Sequence, residues 1–321
     1  MKLKSPNWCA ASRSISLLLV GGFLVMGSVP LWGQANISVY DTTGWTAWTL
    51  PNGSIMTDPR NDQQTGQGAD DFVGDSTYAG FQQKAGLINS TDHLLIRARF
   101  DKFDAVNQWG NGGNFGLGMD IDGNGSIDLI MVMTENSGNV NNRVRTVSFG
   151  TPGTGANTGP STTSWTFPSQ TAITLTRDVT YRTEQASDGS SFGGNADAWV
   201  TFGLSFASLQ NAIRTYAKGD FSNYVFNYES NISYITYTST QTNALNQDLF
   251  GATGGTSSSL TWGELGAITP PISPYGGVPE PATYAQLALL LLAGGYVAHR
   301  QRRTAKSGRA PARVAHLNLT D

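Results

Sequence analysis

The chain of 321 residues is 39% hydrophobic and only 13% charged, with 38 glycines, one cysteine and a formal net charge of −3. Residues 36 to 281 hold eleven Lys and Arg against twenty-two Asp and Glu, a charge of −11, so the basic residues concentrate at the two ends. An acidic body of this kind argues against nucleic acid or anionic lipid as a partner and favours divalent cations. Once Cys9 is lost with the N-terminus, the body has no thiol for a disulfide, a nucleophile or a metal site.

At the N-terminus, Lys2, Lys4 and Arg13 precede the apolar run Ile15 to Val29, Pro30 ends it, and Gly33-Gln34-Ala35 offers small residues for cleavage. This pattern predicts a signal peptide over 1–35 and a mature chain starting near Asn36, with cleavage after Gly33 as the alternative. The roughly 240 residues left between the two terminal segments are enough to bury a core without staples. High Gly, Thr, Ser and Asn content and little helical periodicity predict an all-β fold, a single β-sandwich of jelly-roll or lectin-like type over 36–265.

Leu94, Ile96, Ala98 and Phe100 alternate with Leu95, Arg97 and Arg99, the period-two pattern of a half-buried strand. Further strands are predicted at Phe115–Ile121, Ile127–Met133, Arg143–Phe149, Ala172–Arg177, Val179–Gln185, Ala198–Phe206, Tyr224–Tyr228 and Ile232–Thr238. One short helix is predicted at Ala207–Tyr216. Gly150–Ser164 and Ser187–Asn195 read as surface loops, and the Pro-rich stretch within 266–277 reads as an extended stalk. No internal repeat is present.

The strongest chemical signal in the body is Asp120-Ile121-Asp122-Gly123-Asn124-Gly125-Ser126-Ile127-Asp128. Asp120, Asp122 and Asn124 at positions 1, 3 and 5, Gly125 at 6, the Ser126 carbonyl at 7 and Asp128 at 9 match the first nine positions of an EF-hand loop. Met131 stands where the bidentate Glu of position 12 would be, and the flanks read as strands, so a helix pair is excluded. The loop is similar to the calcium-loaded hairpin loops D-x-D-G-[DN]-G of bacterial surface proteins, which implies a structural Ca²⁺; the alternative is an empty Asx-rich turn. A second acidic group, Asp58, Asp62, Asp70, Asp71 and Asp75, matches no ligand template and reads as a solvated loop. Asn246-Gln247-Asp248 reads either as ligands or as a turn cap.

Catalytic chemistry has little to work with. His93, beside Asp92, is the only histidine between the terminal segments; it reads as a strand-edge surface residue, and no G-x-S-x-G elbow accompanies it. Glu135, Glu184, Glu229 and Glu264 are the carboxylates a glycosidase would need to pair. The chain is therefore expected not to be an enzyme. Of Trp45, Trp48, Trp109, Trp165, Trp199 and Trp262, most are expected in the core, with Trp109 the one placed to meet a sugar ring.

Toward the C-terminus, Val278-Pro279-Glu280-Pro281 is followed by the apolar run Ala282 to Ala298 and then by Arg300, Arg302 and Arg303. Seventeen helical residues at ~1.5 Å each span about 25 Å, a short membrane helix that flanking side chains extend. The prolines hold the motif extended before that helix. The arginines place the preceding chain outside the membrane and residues 304–321 as a cytoplasmic tail.

These three parts in this order resemble the PEP-CTERM sorting signal of Gram-negative bacteria over residues 278–303. The resemblance implies recognition by exosortase, cleavage near Val278 to Pro281, transient anchoring in the inner membrane and delivery to the cell surface or extracellular matrix. The expected function is thus structural or adhesive, within a biofilm or exopolysaccharide layer. A carbohydrate-binding module and a polysaccharide-degrading enzyme are the two alternatives.

Overall fold

The computed structural model describes residues 35–64, 71–103, 113–135, 144–252 and 256–275. The predicted signal peptide, apart from Ala35, lies outside the described residues, as do Asp70, Trp109, the sorting motif with its apolar run and the C-terminal tail. Among the described residues no helix is long and apolar enough to cross a membrane.

Among the described residues, twelve strands and two α-helices appear, in the order β1 (Thr46–Ala47), β2 (Phe81–Ile88), β3 (Thr91–Phe100), β4 (Asn114–Asp120), β5 (Leu129–Glu135), β6 (Arg145–Pro152), β7 (Trp165–Thr166), β8 (Ile173–Leu175), β9 (Tyr181–Gln185), β10 (Ala198–Ser205), α1 (Phe206–Tyr216), β11 (Ser233–Ser239), β12 (Asp248–Leu249) and α2 (Trp262–Leu265). They form two antiparallel sheets, ordered β1-β2-β3-β10-β9 and β12-β11-β4-β5-β6-β7, with β8 also pairing β6. The fold is therefore all-β, as predicted. Three of the four outermost strands, β1, β7 and β12, are only two residues long.

Strand alternation builds the layer between the sheets. Leu94, Ile96, Ala98 and Phe100 from β3 and Val200, Phe202 and Leu204 from β10 share one apolar cluster with Phe115, Leu117 and Met119 from β4 and Leu129, Met131 and Met133 from β5. Trp48 joins the two sheets, its ring stacked 5.1 Å from Phe81 and 5.0 Å from Tyr234. The opposite face of the seven-stranded sheet is covered as well. Ile130, Val132, Ile235 and Tyr237 form a second cluster with Trp165 and Trp262. Glycine in β4 allows this layer to close, since a Cβ on Gly116 would stand 2.0 Å from the Tyr237 ring.

On the five-stranded sheet, Leu95 is buried with Ile37, Val39 and Ile88. Beside it, the Arg97 guanidinium lies 4.3 Å from the Trp45 ring and 4.4 Å from the Trp199 ring, and the Arg99 guanidinium lies 4.1 Å from the Trp199 ring. Burial, and then the Arg99 charge, push Arg97 down to about 10, so it stays ionised at neutral pH. Arg99 is 1% exposed and donates to Asp188, Ser190 and the Ala79 carbonyl, with Asp197 3.5 Å away. β3 is thus covered on both faces, where alternation alone predicted a half-buried strand. The missing information is that the loop over 187–195 folds back to neutralise an arginine.

Other departures have equally local causes. Helix α1 forms one residue ahead of its predicted start, capped by Ser205 Oγ accepting from Ser208 N–H and burying Phe206, Leu209, Ala212 and Ile213. Tyr224–Tyr228 forms no strand: it is irregular and ends in a turn, and Phe226 and Tyr228 lay their rings on Phe206 of that helix. Within the expected surface loop 150–164, β6 runs to Pro152, and the Asn157 carbonyl, fully buried, accepts from Ile127 N–H and Trp262 Nε1. Residues 266–275, expected as a stalk, lie along β11: Thr269 and Tyr234 exchange main-chain and hydroxyl bonds, and Ile272 bridges Ile232.

Candidate metal centre

β4 and β5 are a hairpin, in register at Met119 opposite Leu129, and the Asp120–Asp128 sequence is its turn. Positive φ at Gly123 (+76°) and Gly125 (+82°), which glycine adopts without a Cβ penalty, reverses the chain. The turn is organised by its own carboxylates. Asp120 Oδ1 accepts from Gly123 N–H at 2.8 Å and Asn124 N–H at 3.1 Å, and its Oδ2 accepts from Gly125 N–H at 2.9 Å. Asp128 Oδ2 accepts from Ile121 N–H at 2.8 Å, Asp122 Oδ1 from Asn124 N–H at 3.1 Å, and Asn124 Oδ1 from Ser126 N–H at 2.8 Å.

The turn brings together Asp120, Asp122 and Asp128, each offering an oxygen within 4.8 Å of the others. Asp120 and Asp128 are buried and Asp122 is exposed. Asn124 and Ser126 stand in the same turn, engaged in its main-chain bonds. Burial raises Asp120 above its ordinary range against three main-chain donors. Burial also lifts Asp128 to about 6, with the charges on Asp122 and Asp120 adding to it. The donor set is all oxygen, which suits a hard cation such as Ca²⁺, although Asp120 Oδ1 already accepts two N–H bonds.

The second acidic group is not solvated. Asp58 and Asp248 are each 2% exposed and Asp71 is fully buried, while Asp62 is half-buried. Asp58, Asp62 and Asp248 offer oxygens within 4.8 Å of one another, a cluster assembled from residues 190 apart in the chain. Burial first, and then the neighbouring carboxylates, push Asp58 and Asp248 well above the usual carboxylate range, and burial lifts Asp71 to about 6. Asp75 belongs elsewhere, capping the turn at Thr77 and Tyr78. Asn246 caps a turn at Thr240, and the Gln247 carbonyl accepts from Gln64 N–H. No local spacing signals this cluster, because Asp248 lies 190 residues beyond Asp58 and only the tertiary fold joins it to Asp58 and Asp62.

His93 sits in β3 between β2 and β10, opposite Gly86 and Ser205, so it is at the end of an interior strand and not on a sheet edge. Its Nδ1 lies 2.9 Å from the Thr91 carbonyl, and Asp92 accepts from the Tyr228 hydroxyl at 2.7 Å. Glu135 pairs with Arg145 across the β5–β6 ladder, Glu184 with Arg182, and Glu264 completes a capping box with Thr261; Glu229 lies on an exposed turn. Of the tryptophans, Trp48, Trp165, Trp199 and Trp262 are buried and Trp45 is half-buried beneath Arg97. Comparison with protein families, with curated proteins and with solved structures gives no match to this chain.

Proposed function

We propose that this chain is an exported, exosortase-sorted protein of the cell surface or extracellular matrix, with a structural or adhesive role in an exopolysaccharide layer. The observation that carries this reading is the order Pro279-Glu280-Pro281, apolar run, Arg300, Arg302 and Arg303. The two-sheet body, read as a jelly-roll or lectin-like β-sandwich, is the part delivered. In support, the fold takes hold of the chain right after the expected signal peptide, with Ile37 N–H donating to the Leu87 carbonyl at 2.9 Å. Replacing Pro279, Glu280 and Pro281 together with alanine is expected to leave the product uncut at the inner membrane, seen as a longer species by mass spectrometry of the membrane fraction. A full-length parent protein dissolved in the cytosol would overturn the reading.

The hairpin turn, on this reading, holds a structural Ca²⁺. Without a bidentate twelfth ligand its Kd is expected on the order of 10⁻⁴–10⁻³ M, the range of extracellular modules. A ligand bound only by the folded state adds RT ln(1 + [L]/Kd), about 1.4 kcal/mol at tenfold excess over Kd. Asp122→Ala, at an exposed position, is expected to reduce the calcium-dependent rise in melting temperature by about 3–5 °C. An unchanged calcium response in that variant removes the turn as a binding site.

A further inference from the structure

We infer that Asp58, Asp62 and Asp248, with Asp71 behind them, hold a second hard divalent cation of the calcium class, buried where the two sheets are tied together. The site is independent of the hairpin turn and is reached by different chain segments. Asp248 belongs to β12, which pairs β11 at the edge of the seven-stranded sheet. Asp58 bridges Gly74, and Phe72 bridges Phe100 of β3 in the five-stranded sheet. Two hydrogen bonds already cross between these elements, from Phe72 N–H to Asp248 Oδ2 at 2.6 Å and from Gly251 N–H to Asp58 Oδ1.

Clustering of acids alone would not make a site. The second observation is that buried oxygens in it have no partner: Asp58 Oδ2 and Asp71 Oδ1 accept no hydrogen bond, and the buried Gln63 amide, one residue from Asp62, has neither its oxygen nor its nitrogen engaged. A carboxylate removed from water without a partner costs several kcal/mol, so such oxygens point to a missing positive charge. Among the described residues no Lys, Arg or His forms an ion pair with Asp58, Asp71 or Asp248; the charges acting on Asp58 are those of Asp248, Asp62 and Asp71. The hydrogen bonds these three make are accepted from main-chain N–H groups, among them those of Gly251, Asn61, Phe72 and Leu249.

The donor set selects the cation class. Oxygen ligands without His or Cys disfavour zinc and other soft or borderline metals, and the three grouped carboxylates supply part of the six to eight oxygens that Ca²⁺ takes. Burial should make this site tighter than the hairpin turn, because water cannot compete for the ion.

The test is calorimetric titration of the chelator-treated full chain with CaCl₂ alone, in the parent, in Asp122→Ala and in Asp62→Asn. Asp62 is chosen because its side chain is half-buried, unlike those of Asp58 and Asp248. The expected result is a calcium site that survives Asp122→Ala with its affinity unchanged and is weakened at least tenfold in Asp62→Asn. Asp248→Asn should lose it altogether, with circular dichroism reporting whether that variant folds. Absence of any site that persists in Asp122→Ala and weakens in Asp62→Asn overturns the inference. Failure of the hairpin reading gives a different pattern, in which Asp122→Ala titrates like the parent.

Discussion

Arg99→Ala is expected to lower the free energy of unfolding by about 3–5 kcal/mol, the cost of removing one partner from a buried charge network. The arginine is 1% exposed and faces Asp197, which is fully buried, so alanine would leave that carboxylate with no cation beside it. It would also remove the guanidinium stacked 4.1 Å from Trp199. For a domain of this size the melting temperature should fall by roughly 6–20 °C. Adding Asp197→Asn should recover part of the loss, since it removes the orphaned charge. A fall of under about 1 kcal/mol in the single variant would mean that solvent reaches the network and that Arg99 acts as an ordinary surface ion.

Asp188 gives the same network a signature in acid. Its burial alone would raise the carboxyl, but the hydrogen bond and charge of Arg99, with Ser190, hold it down to about 2. A depressed acid stabilises the fold above its unfolded value near 3.9 and loses that contribution as pH falls toward 2. Melting curves between pH 5 and 2 should therefore descend less steeply in Arg99→Ala than in the parent. The carboxylate is partly exposed, so the difference is a change in slope and not a large step.

Trp48→Ala should cost a comparable amount, about 3–5 kcal/mol, as large aromatic truncations in cores do. This indole is 1% exposed and stacks on Phe81 from one sheet and Tyr234 from the other, so the void would open at the point where the sheets meet. Its Nε1 also donates to Gln83 Oε1 at 3.1 Å, and Gln83 is itself buried, so the truncation strips a partner from a buried amide. Trp48→Phe keeps most of the volume and should lose about half as much, while Trp45→Ala, at a half-buried position, should cost less than either. Chemical denaturation of the three variants checks the order; equal losses at positions 45 and 48 would contradict it.

The sequence pattern revealed strands wherever apolar residues alternate cleanly, as in β3 and β10, and it revealed the hairpin turn because its acids and glycines are consecutive. β2 was not legible for a specific reason. In Phe81-Gln82-Gln83-Lys84-Ala85, the inward position 83 is a glutamine, satisfied by Trp48 and the Ser273 carbonyl and so invisible to a hydrophobic count. Tyr224–Tyr228 erred in the opposite direction, because its aromatic residues serve a helix and not a sheet. The acids at 58, 62, 71 and 248 carried no spacing signal at all. Their meaning comes from tertiary proximity and burial, which composition hinted at only through the excess negative charge of the body.

The brevity of β1, β7 and β12 has a consequence at high protein concentration. A sheet margin with only two paired residues offers almost no ladder onto which a neighbouring molecule can hydrogen-bond. At those three margins, copies held at high density would meet through side chains and not by extending the sheets.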